Sequence, residues 1–289
     1  MNVSKAVIPA AGFGTRFLPV TKAQPKEMMP VLDKPTIQYV VEEAIDSGID
    51  DILIITGRGK QSIEGHFDKS YELEEELKAA GKEDRLERVR DITELADIHY
   101  VRQKEREGLG DAVLYARKHV GDEPFALLLG DTIVENDVPC TGTLINHAEE
   151  YGESVLSLER VPWERVSAYG VADLADDNAD QPCFPVSDFV EKPAREDAPS
   201  NLAITGRYVL TPEIFDLLEQ TDPGVGGELQ LTDAIRELPA VRGVELRGDR
   251  YDIGNIPDWL RANVQMALKH DDGEMHDAVE RLLQEELDG

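Results

Sequence analysis

The chain has 289 residues, 41% of them hydrophobic, and its 30 basic against 59 acidic side chains give a formal net charge of −29. Such an acidic surface repels nucleic-acid phosphates and anionic lipid headgroups, so we expect neither a nucleic-acid partner nor a membrane partner. The sequence contains no run of about 18 apolar residues, so no membrane span is predicted. The first residues show no secretion signal, and we therefore predict a cytoplasmic protein.

Two further features of the composition carry predictions. The two cysteines, Cys140 and Cys183, are too few for a disulfide framework and are predicted to be buried thiols. The excess of carboxylates, with lysine scarcer than arginine, suits a cytoplasm of high salt. On this halophile hypothesis the melting temperature should rise between dilute buffer and molar KCl, and an unchanged melting temperature would contradict it.

The first half of the chain alternates apolar strands with helices. Short apolar runs predict strands over residues 5–10, 52–56, 98–101 and 124–129. Helical spacing predicts helices over residues 35–47, 61–67, 70–96 with a break at Gly81, and 109–120. Continuous apolar strands alternating with helices are typical of a parallel sheet that is covered on both faces.

The second half is less regular. Strands are predicted over residues 154–158, 169–174, 184–190, 202–210 and 244–247, and helices over 212–219, 229–238, 257–268 and 274–287. No linker rich in Pro, Gly or Ser interrupts the chain. We therefore predict an α/β fold with a three-layer, mostly parallel, Rossmann-like sheet: one continuous domain over residues 1–270, followed by an amphipathic C-terminal helix over 271–289.

The loops that follow the parallel strands should share one edge of the sheet, because right-handed crossovers place them there. The first of these loops contains Gly12-Phe13-Gly14-Thr15-Arg16. A dinucleotide fingerprint would need glycine where Phe17 stands, so an NAD site is disfavoured. The segment 5–34 has five basic against two acidic residues in an otherwise acidic chain, and this glycine turn with nearby cations predicts phosphate binding.

Carboxylates at the same edge are candidate metal ligands. Asp131 follows the predicted strand 124–129 directly and could hold Mg²⁺, although an aspartate there could also cap a turn. Asp252 is a weaker second candidate, because many loops carry aspartate before glycine. Glu191 and Lys192 follow an apolar strand and could meet sugar hydroxyls and a sugar phosphate, or could form a plain surface ion pair. The six histidines show no metal-ligand or triad spacing, and we interpret them as structural.

These motifs resemble those of the sugar-1-phosphate nucleotidyltransferases, and within that family the uridylyltransferase branch. The pattern GxGTR…PK is shared across the family, whereas PKEMMPVLDKPTIQYVVEE, FDKSYELE and GGELQLTDAI are particular to that branch. The other matching segments are VRQKEREGLGDAV, SAYGVADL, FVEKP and APSNLAITGRYVLTPEIFDLL, so the resemblance covers most of the chain.

The resemblance implies a fold of the nucleotide-diphospho-sugar transferase type, with a nucleotide-binding half over about residues 1–135 and a sugar-phosphate half over about 136–256. It implies Mg²⁺-dependent transfer of UMP from UTP to glucose 1-phosphate, and a homo-oligomer, either a dimer or a tetramer. The implied catalytic residues are Arg16, Lys26 and Lys192. The implied nucleotide-binding residues are Ala10, Ala11, Gly12, Gly14, Thr15, Gln103 and Gly108. The implied sugar-phosphate residues are Gly170, Glu191, Lys192, Asn201 and Gly206, and the implied metal ligands are Asp131 and Asp252.

Two departures from the family pattern leave the substrate open. Gly130 stands where proline usually precedes the metal aspartate, and Tyr251 and Ile253 flank Asp252 in place of the usual residues. A thymidylyltransferase, or a uridylyltransferase for another hexose 1-phosphate, is therefore the alternative. A regulatory protein that only binds a nucleotide sugar is disfavoured, because Arg16, Lys26 and Asp131 are all present.

Overall fold

The computed structural model describes residues 1–174, 181–269 and 273–288. Its strands are β1 (Lys5–Ala10), β2 (Pro30–Val31), β3 (Lys34–Pro35), β4 (Asp51–Thr56), β5 (Asp97–Arg102), β6 (Phe125–Leu128), β7 (Thr132–Glu135), β8 (Ser154–Arg160), β9 (Gly170–Leu174), β10 (Phe184–Glu191), β11 (Leu202–Leu210), β12 (Val241–Glu245) and β13 (Asp249–Asp252). Its helices are α1 (Thr36–Asp46), α2 (Gln61–Phe67), α3 (Tyr71–Ala79), α4 (Glu83–Thr93), α5 (Leu109–Leu114), α6 (Arg117–Val120), α7 (Cys140–Tyr151), α8 (Glu213–Gln220), α9 (Leu231–Arg236), α10 (Ile256–Lys269) and α11 (Glu274–Asp288).

A large sheet forms the centre of the molecule. Among the described residues it has nine strands in the order β5-β4-β1-β6-β11-β8-β12-β10-β9. The strands β5, β4, β1 and β6 are parallel, as predicted from their continuous apolar runs. The strand β11 runs antiparallel to both β6 and β8, and β10 runs antiparallel to both β12 and β9, so the second half of the sheet is mixed.

Helices cover both faces of this sheet, which confirms the predicted three layers. On one face, residues of α5, α8 and α9 pack with β1, β6 and β11 around Phe125 and Phe215, whose stacked ring centroids are 5.2 Å apart. On the other face, α1, α2 and α7 pack against the same strands. Burying apolar area on both faces is what stabilises such a sheet. Cys140 and Cys183 are buried free thiols, as predicted.

The sequence predicted some elements wrongly. The predicted helix 109–120 divides into α5 and α6, because hydrogen bonds from Tyr115 to Ala112 and from Ala116 to Val113 tighten the backbone to the 3₁₀ type. The predicted strand 244–247 begins earlier, at Val241. The strands β7 and β13 and the helix α7 were not predicted. The break at Gly81 is confirmed, since this residue has a φ of 65° between α3 and α4.

The strands β7 and β13 form a small antiparallel ribbon, and the helix α10 packs beside it. The strands β7 and β13 pair so that Asp252 lies opposite Thr132. Buried side chains of the ribbon and of α10 pack against the segment 17–31 in a third apolar cluster, which includes Phe17, Tyr251 and Ile253. Residues distant in sequence are thereby brought beside the glycine turn.

The C-terminal helix α11 contacts α10. The His276 ring donates a hydrogen bond to the Leu268 carbonyl oxygen over 2.7 Å. Leu282 and Leu283, two apolar residues of the predicted amphipathic helix, are 57% and 46% exposed. The predicted boundary at residues 270–271, and His270 itself, lie outside the described residues. Within the part of the chain that the structure describes, we find no helix with the length and apolar character of a membrane span.

Candidate active site

Two adjoining cavities lie at the carboxyl ends of the parallel strands. One has a volume of about 420 Å³ and the other about 500 Å³. Their shared lining residues are Gly12, Phe13, Lys26, Leu129 and Asp131. The cleft is therefore divided into two compartments, with Lys26 and Asp131 at the division. Open α/β sheets bind ligands at this edge.

The glycine turn, residues 12–16, packs against the Lys26 side chain. Gly14 has a φ of 64°, and its carbonyl oxygen accepts a 2.7 Å hydrogen bond from the Thr21 hydroxyl. A Cβ atom at Gly14 would lie 3.1 Å from side-chain atoms of both Thr21 and Lys26. The turn therefore needs glycine here both for its backbone conformation and for the close approach of these two side chains.

Lys26 and Asp131 form an ion pair in the centre of the cleft. Burial alone would lower the pKa of Lys26, but the attraction of Asp131 and Glu27 raises it above its ordinary value. Burial alone would raise the pKa of Asp131, but the Lys26 ammonium holds it below its ordinary range. Both groups are thus charged at neutral pH, and a ligand that enters between them meets one cation and one anion.

The β7–β13 ribbon places Asp252 beside Asp131, because Asp252 pairs with Thr132, the residue that follows Asp131. The backbone N–H of Ile253 donates a 2.8 Å hydrogen bond to the Asp131 carbonyl oxygen. Burial raises the pKa of Asp252, and repulsion from the Asp131 carboxylate raises it further. Mg²⁺ is commonly held by one or two carboxylates together with substrate phosphates. Two adjacent carboxylates that repel each other at the edge of a phosphate-sized cleft fit such an ion.

A buried ion pair beneath the cleft was missed by the sequence analysis. Arg207, which is 0% exposed, donates hydrogen bonds of 2.8 Å to the Glu43 carboxylate and 2.7 Å to the Thr132 carbonyl oxygen. It also donates to the carbonyl oxygen of Gly206 over 3.2 Å. Glu43 in turn accepts a 2.7 Å hydrogen bond from the Thr141 hydroxyl. A longer hydrogen bond of 3.5 Å to the Leu129 carbonyl oxygen lies on the other side of Asp131, so Arg207 holds both sides of the loop that carries Asp131. An arginine within the apolar run LAITGRYVL was the signal that could have found it, since arginine is rarely fully buried without a partner.

The larger compartment has the features of a base-binding pocket. Gln103 lines it, and the Gln103 side-chain amide donates a 2.6 Å hydrogen bond to the Asp111 carboxylate. This bond directs the Gln103 nitrogen towards Asp111 and leaves the Gln103 carbonyl oxygen as a hydrogen-bond acceptor. Gly108 has a φ of 115°, and a Cβ there would lie 2.6 Å from the Leu229 carbonyl oxygen, so only glycine fits. Arg106 was not predicted; it donates a 2.6 Å hydrogen bond to the Ala11 carbonyl oxygen and lies over the Phe13 ring.

The smaller compartment is bounded by Tyr169, Arg250 and Gly206. Gly206 has a φ of 89°, and a Cβ there would lie 2.9 Å from the Leu129 side chain. The guanidinium of Arg250 forms a 2.6 Å ion pair with Glu159 and lies 3.8 Å from the Asp252 carboxylate. Neither Tyr169 nor Arg250 was predicted as a site residue.

Most of the predicted site residues come together in this cleft. The smaller cavity is lined by Gly12, Gly14, Thr15, Arg16, Lys26, Asp131, Asp252 and Gly206, and the larger one by Ala11, Gly12, Lys26, Gln103, Gly108 and Asp131. The remaining predicted residues, all of them described, are not among those that line either cavity: Ala10, Gly170, Glu191, Lys192 and Asn201.

Three of these remaining residues bond to other groups of the protein: Glu191, Lys192 and Asn201. Glu191 accepts a 2.7 Å hydrogen bond from the Thr232 hydroxyl and forms a 2.7 Å ion pair with Lys192. The backbone N–H of Lys192 donates a 3.0 Å hydrogen bond to the carbonyl oxygen of Tyr169, which does line the cavity. The Asn201 amide donates to the Val161 carbonyl oxygen over 2.9 Å. Their roles towards a sugar phosphate stay predictions.

Comparison with known proteins identifies the family. The family model for nucleotidyl transferases matches residues 5–269. The chain belongs to the nucleotidyl transferase family. The transferase is 53% identical over 281 residues to UTP–glucose-1-phosphate uridylyltransferase 2 of Staphylococcus saprophyticus, with 96% of each chain covered. It is 50% identical over 281 residues to UTP–glucose-1-phosphate uridylyltransferase of Bacillus subtilis, covering 96% of this chain and 95% of the relative.

Solved structures agree with this membership. A UDP-glucose pyrophosphorylase in complex with UDP-glucose matches 93% of this transferase and 100% of its own chain, with a TM-score of 0.84 and 41% identity. The UTP-bound UGPase of Acinetobacter baumannii matches 98% of this chain and 99% of its own, with a TM-score of 0.89 and 37% identity. The predicted fold of the nucleotide-diphospho-sugar transferase type is confirmed, and the protein is a nucleotidyltransferase enzyme.

Proposed function

We propose that this enzyme transfers UMP from UTP to glucose 1-phosphate, giving UDP-glucose and pyrophosphate. The observation that carries the proposal is the divided cleft: a base-sized compartment and a sugar-sized compartment meet at Lys26 and Asp131. Relatives that are 50% and 53% identical carry the name of this activity, and both UTP and UDP-glucose are bound by structural relatives.

The reaction needs positioning and charge stabilisation, and it needs no general base. A phosphate oxygen of glucose 1-phosphate, already anionic at neutral pH, attacks the α-phosphorus of UTP. The bond between that phosphorus and the oxygen leading to the β-phosphate breaks, and pyrophosphate leaves with the electron pair. Repulsion between two unit charges near 4 Å is about 4 kcal/mol at an effective dielectric constant near 20, and the site must offset such terms.

The cationic side chains supply part of this compensation. Arg16 is exposed at the mouth of the smaller cavity, and Lys26 lies at the division between the two cavities. We assign Arg16 and Lys26 to the β- and γ-phosphates, where they stabilise the departing pyrophosphate. Asp131 and Asp252 would hold Mg²⁺, which supplies positive charge opposite the phosphate oxygens when it is bound. Lys192 would hold the attacking sugar phosphate.

Gln103 is proposed to select the base. Its carbonyl oxygen can accept a hydrogen bond from the N3–H of uracil, whereas cytosine presents an acceptor at N3. Thymine presents the same N3–H as uracil, so Gln103 does not separate UTP from dTTP. Thymidylyl transfer therefore remains the second candidate, and transfer to another hexose 1-phosphate remains open with it.

A substrate panel tests the proposed function. Pyrophosphate release is measured for UTP, dTTP and CTP, each with glucose 1-phosphate, galactose 1-phosphate and N-acetylglucosamine 1-phosphate, in molar salt and in dilute buffer. We expect the highest kcat/KM for UTP with glucose 1-phosphate. A higher value for dTTP or for another sugar phosphate would contradict the proposal and would leave the family membership intact.

Replacing Gln103 by alanine is expected to lower the ratio of kcat/KM for UTP to that for CTP by about 10-fold or more, because one buried hydrogen bond to uracil is lost. Competition between the two nucleotides for limiting glucose 1-phosphate measures this ratio. Gln61→Ala, at an exposed position at the start of α2, is the control and should leave the ratio unchanged. An unchanged ratio in Gln103→Ala would remove this residue from base selection.

Lys192→Ala is expected to raise the KM for glucose 1-phosphate by about 10- to 100-fold, with the KM for UTP nearly unchanged, since a cation is lost only on the sugar-phosphate side. Initial rates with each substrate varied in turn give the two constants. Arg195→Ala is the matched control, because Arg195 lies nearby in the sequence and forms an exposed 3.3 Å ion pair with Glu164. If both variants behave like the unchanged enzyme, Lys192 is a surface residue.

A further inference from the structure

A second cluster of metal-ligating side chains lies at the end of the sheet opposite to the cleft. It consists of Asp51, His99 and His119, which we call the edge cluster. Asp51 is the first residue of β4, His99 lies in β5 at the sheet edge, and His119 lies in α6. The catalytic cleft is at the carboxyl ends of the parallel strands, whereas the edge cluster is near their amino ends. It is therefore separate from the proposed Mg²⁺ ligands.

The sheet register brings the cluster together. The parallel strands β4 and β5 pair Asp51 with Asp97 and Leu53 with His99. Because side chains alternate between the two faces of a strand, Asp51 shares a face with Leu53. Leu53 packs in the core cluster that contains Val120, the last residue of α6, so this is the face that α6 covers. Residues far apart in the sequence thus converge, which is why their spacing indicated no site.

The distances leave room for an ion. The Nε2 atom of His119 lies 2.7 Å from Asp51 Oδ1. The Nε2 atom of His99 lies 3.9 Å from the same Asp51 oxygen and 3.7 Å from Asp97 Oδ2, which is beyond hydrogen-bond reach of either carboxylate. All three ligand atoms of the edge cluster lie within 4.8 Å of one another. In a tetrahedral zinc site with bonds of about 2.0 to 2.1 Å, ligand atoms are about 3.3 Å apart, a value that lies between the two distances to Asp51.

We propose that the edge cluster binds a divalent transition-metal ion of the zinc class. Two imidazoles and a carboxylate are ligands that suit Zn²⁺ and Co²⁺, whereas Mg²⁺ prefers an all-oxygen site. Asp97, which is 82% exposed, can complete the ligand set or leave the fourth position to water. The bound ion would link the edge strand β5 and the helix α6 to β4. Our interpretation of His99 and His119 as structural residues is revised accordingly.

Hydrogen bonds that fix the end of α6 support a preformed site. The Lys5 ammonium donates hydrogen bonds of 3.2 Å and 3.3 Å to the carbonyl oxygens of His119 and Val120. It also forms a 2.8 Å ion pair with Glu123. The end of α6 is therefore held to β1, and the His119 ring is held against Asp51 by its own hydrogen bond. Two adjustments remain: the His99 side chain, which is 47% exposed on the edge strand, has to move towards Asp51, and the 2.7 Å contact between His119 and Asp51 has to widen to about 3.3 Å as the ion replaces that hydrogen bond.

The test uses the full chain with Zn²⁺ and Co²⁺ as probes, in millimolar Mg²⁺ so that carboxylate-only sites are occupied. Competition with a chromophoric chelator measures the zinc affinity, and the visible d–d absorption of Co²⁺ reports imidazole ligation in a tetrahedral site. We expect His99→Ala to weaken zinc binding by about 10-fold or more and to remove the Co²⁺ absorption. Zinc should raise the melting temperature of the unchanged protein and not that of the variant.

His276→Ala is the matched control. His276 lies 3.4 Å from Glu280 on the exposed face of α11, so it forms a histidine–carboxylate pair outside the cluster, and its loss should change neither metal signal. Asp51→Asn is a second variant, in which an amide replaces the ligating carboxylate, and it should also weaken zinc binding. Equal zinc affinity in all four proteins, or no Co²⁺ absorption in the unchanged protein, would overturn the proposal. The pyrophosphate assay is independent of either result.

Discussion

Replacing Asp131 by asparagine is expected to lower kcat by about 100-fold or more while the protein stays folded. The two side chains have nearly the same size, so the cleft keeps its shape. The substitution removes the negative charge that pairs with Lys26 and that, with Asp252, would hold Mg²⁺. We expect kcat to decrease rather than KM to increase, because compensation of charge at the reacting phosphates is needed most in the transition state.

Single-turnover release of pyrophosphate over a series of Mg²⁺ concentrations measures this effect. Asp137→Asn is the control, since Asp137 is an exposed aspartate just beyond β7. Circular dichroism and melting curves establish that both variants are folded. A variant with asparagine at 131 that keeps more than a tenth of the activity at ordinary Mg²⁺ would exclude Asp131 from the reaction centre.

The Arg207→Met variant is expected to lose about 3 to 5 kcal/mol of unfolding free energy, because it leaves the Glu43 carboxylate buried without its partner. The Arg207 side chain is fully buried and also donates to the Thr132 and Gly206 carbonyl oxygens, which the methionine cannot do. For a chain of this size, the melting temperature should fall on the order of 10 °C. Urea unfolding and thermal melting measure the two quantities.

A surface ion pair provides the comparison. Arg236 and Asp188 form a 2.7 Å pair in which both side chains are about two-fifths exposed, so Arg236→Met should cost less than about 1 kcal/mol of unfolding free energy.

In Arg207→Lys the positive charge is kept, but the planar fork of guanidinium donors is lost. We expect kcat to fall more than KM changes, because the loop that carries Asp131 is no longer held on both sides. Equal stability losses in Arg207→Met and Arg236→Met would contradict the role assigned to the buried pair.

The parallel half of the sheet could be predicted from the sequence because its strands are continuous apolar runs. Three of the four runs are followed directly by a polar residue or a glycine, and the first run is followed by Ala11 and then Gly12. The rule that loops after parallel strands share one edge therefore placed Arg16, Gln103 and Asp131 together. Lys26 was found by its charge, since a basic cluster is conspicuous in a chain of net charge −29. These predictions depend on apolar runs and charge clusters among residues that are close in the sequence, and such patterns can be read directly from it.

Other features depend on pairings between distant residues, which local pattern does not contain. The strands β7 and β13 are only four residues each, and three of the four residues of β13 are charged, so the ribbon that brings Asp252 to Asp131 gave no periodic signal. The pair of Glu43 with Arg207 joins α1 to β11 between residues that are 164 positions apart in the sequence. The antiparallel β11 in the middle of the sheet is a matter of topology, and its apolar run is equally compatible with a parallel strand.

The predicted homo-oligomer, the cytoplasmic location and the dependence on high salt stay predictions. Leu282 and Leu283 on α11 are exposed apolar side chains of the kind that subunit contacts cover. Sedimentation in molar and in dilute salt would give the oligomeric state under both conditions, and it would do so independently of the catalytic assays.

The position of a bound nucleotide sugar tests the divided cleft most directly. A crystal structure of this enzyme with UDP-glucose should show uracil in the cavity lined by Ala11, Gln103 and Gly108, and glucose in the cavity lined by Tyr169 and Gly206. The diphosphate should lie between them, beside Lys26 and Asp131. A ligand with both ends in one cavity, or with its diphosphate away from Lys26, would contradict this assignment.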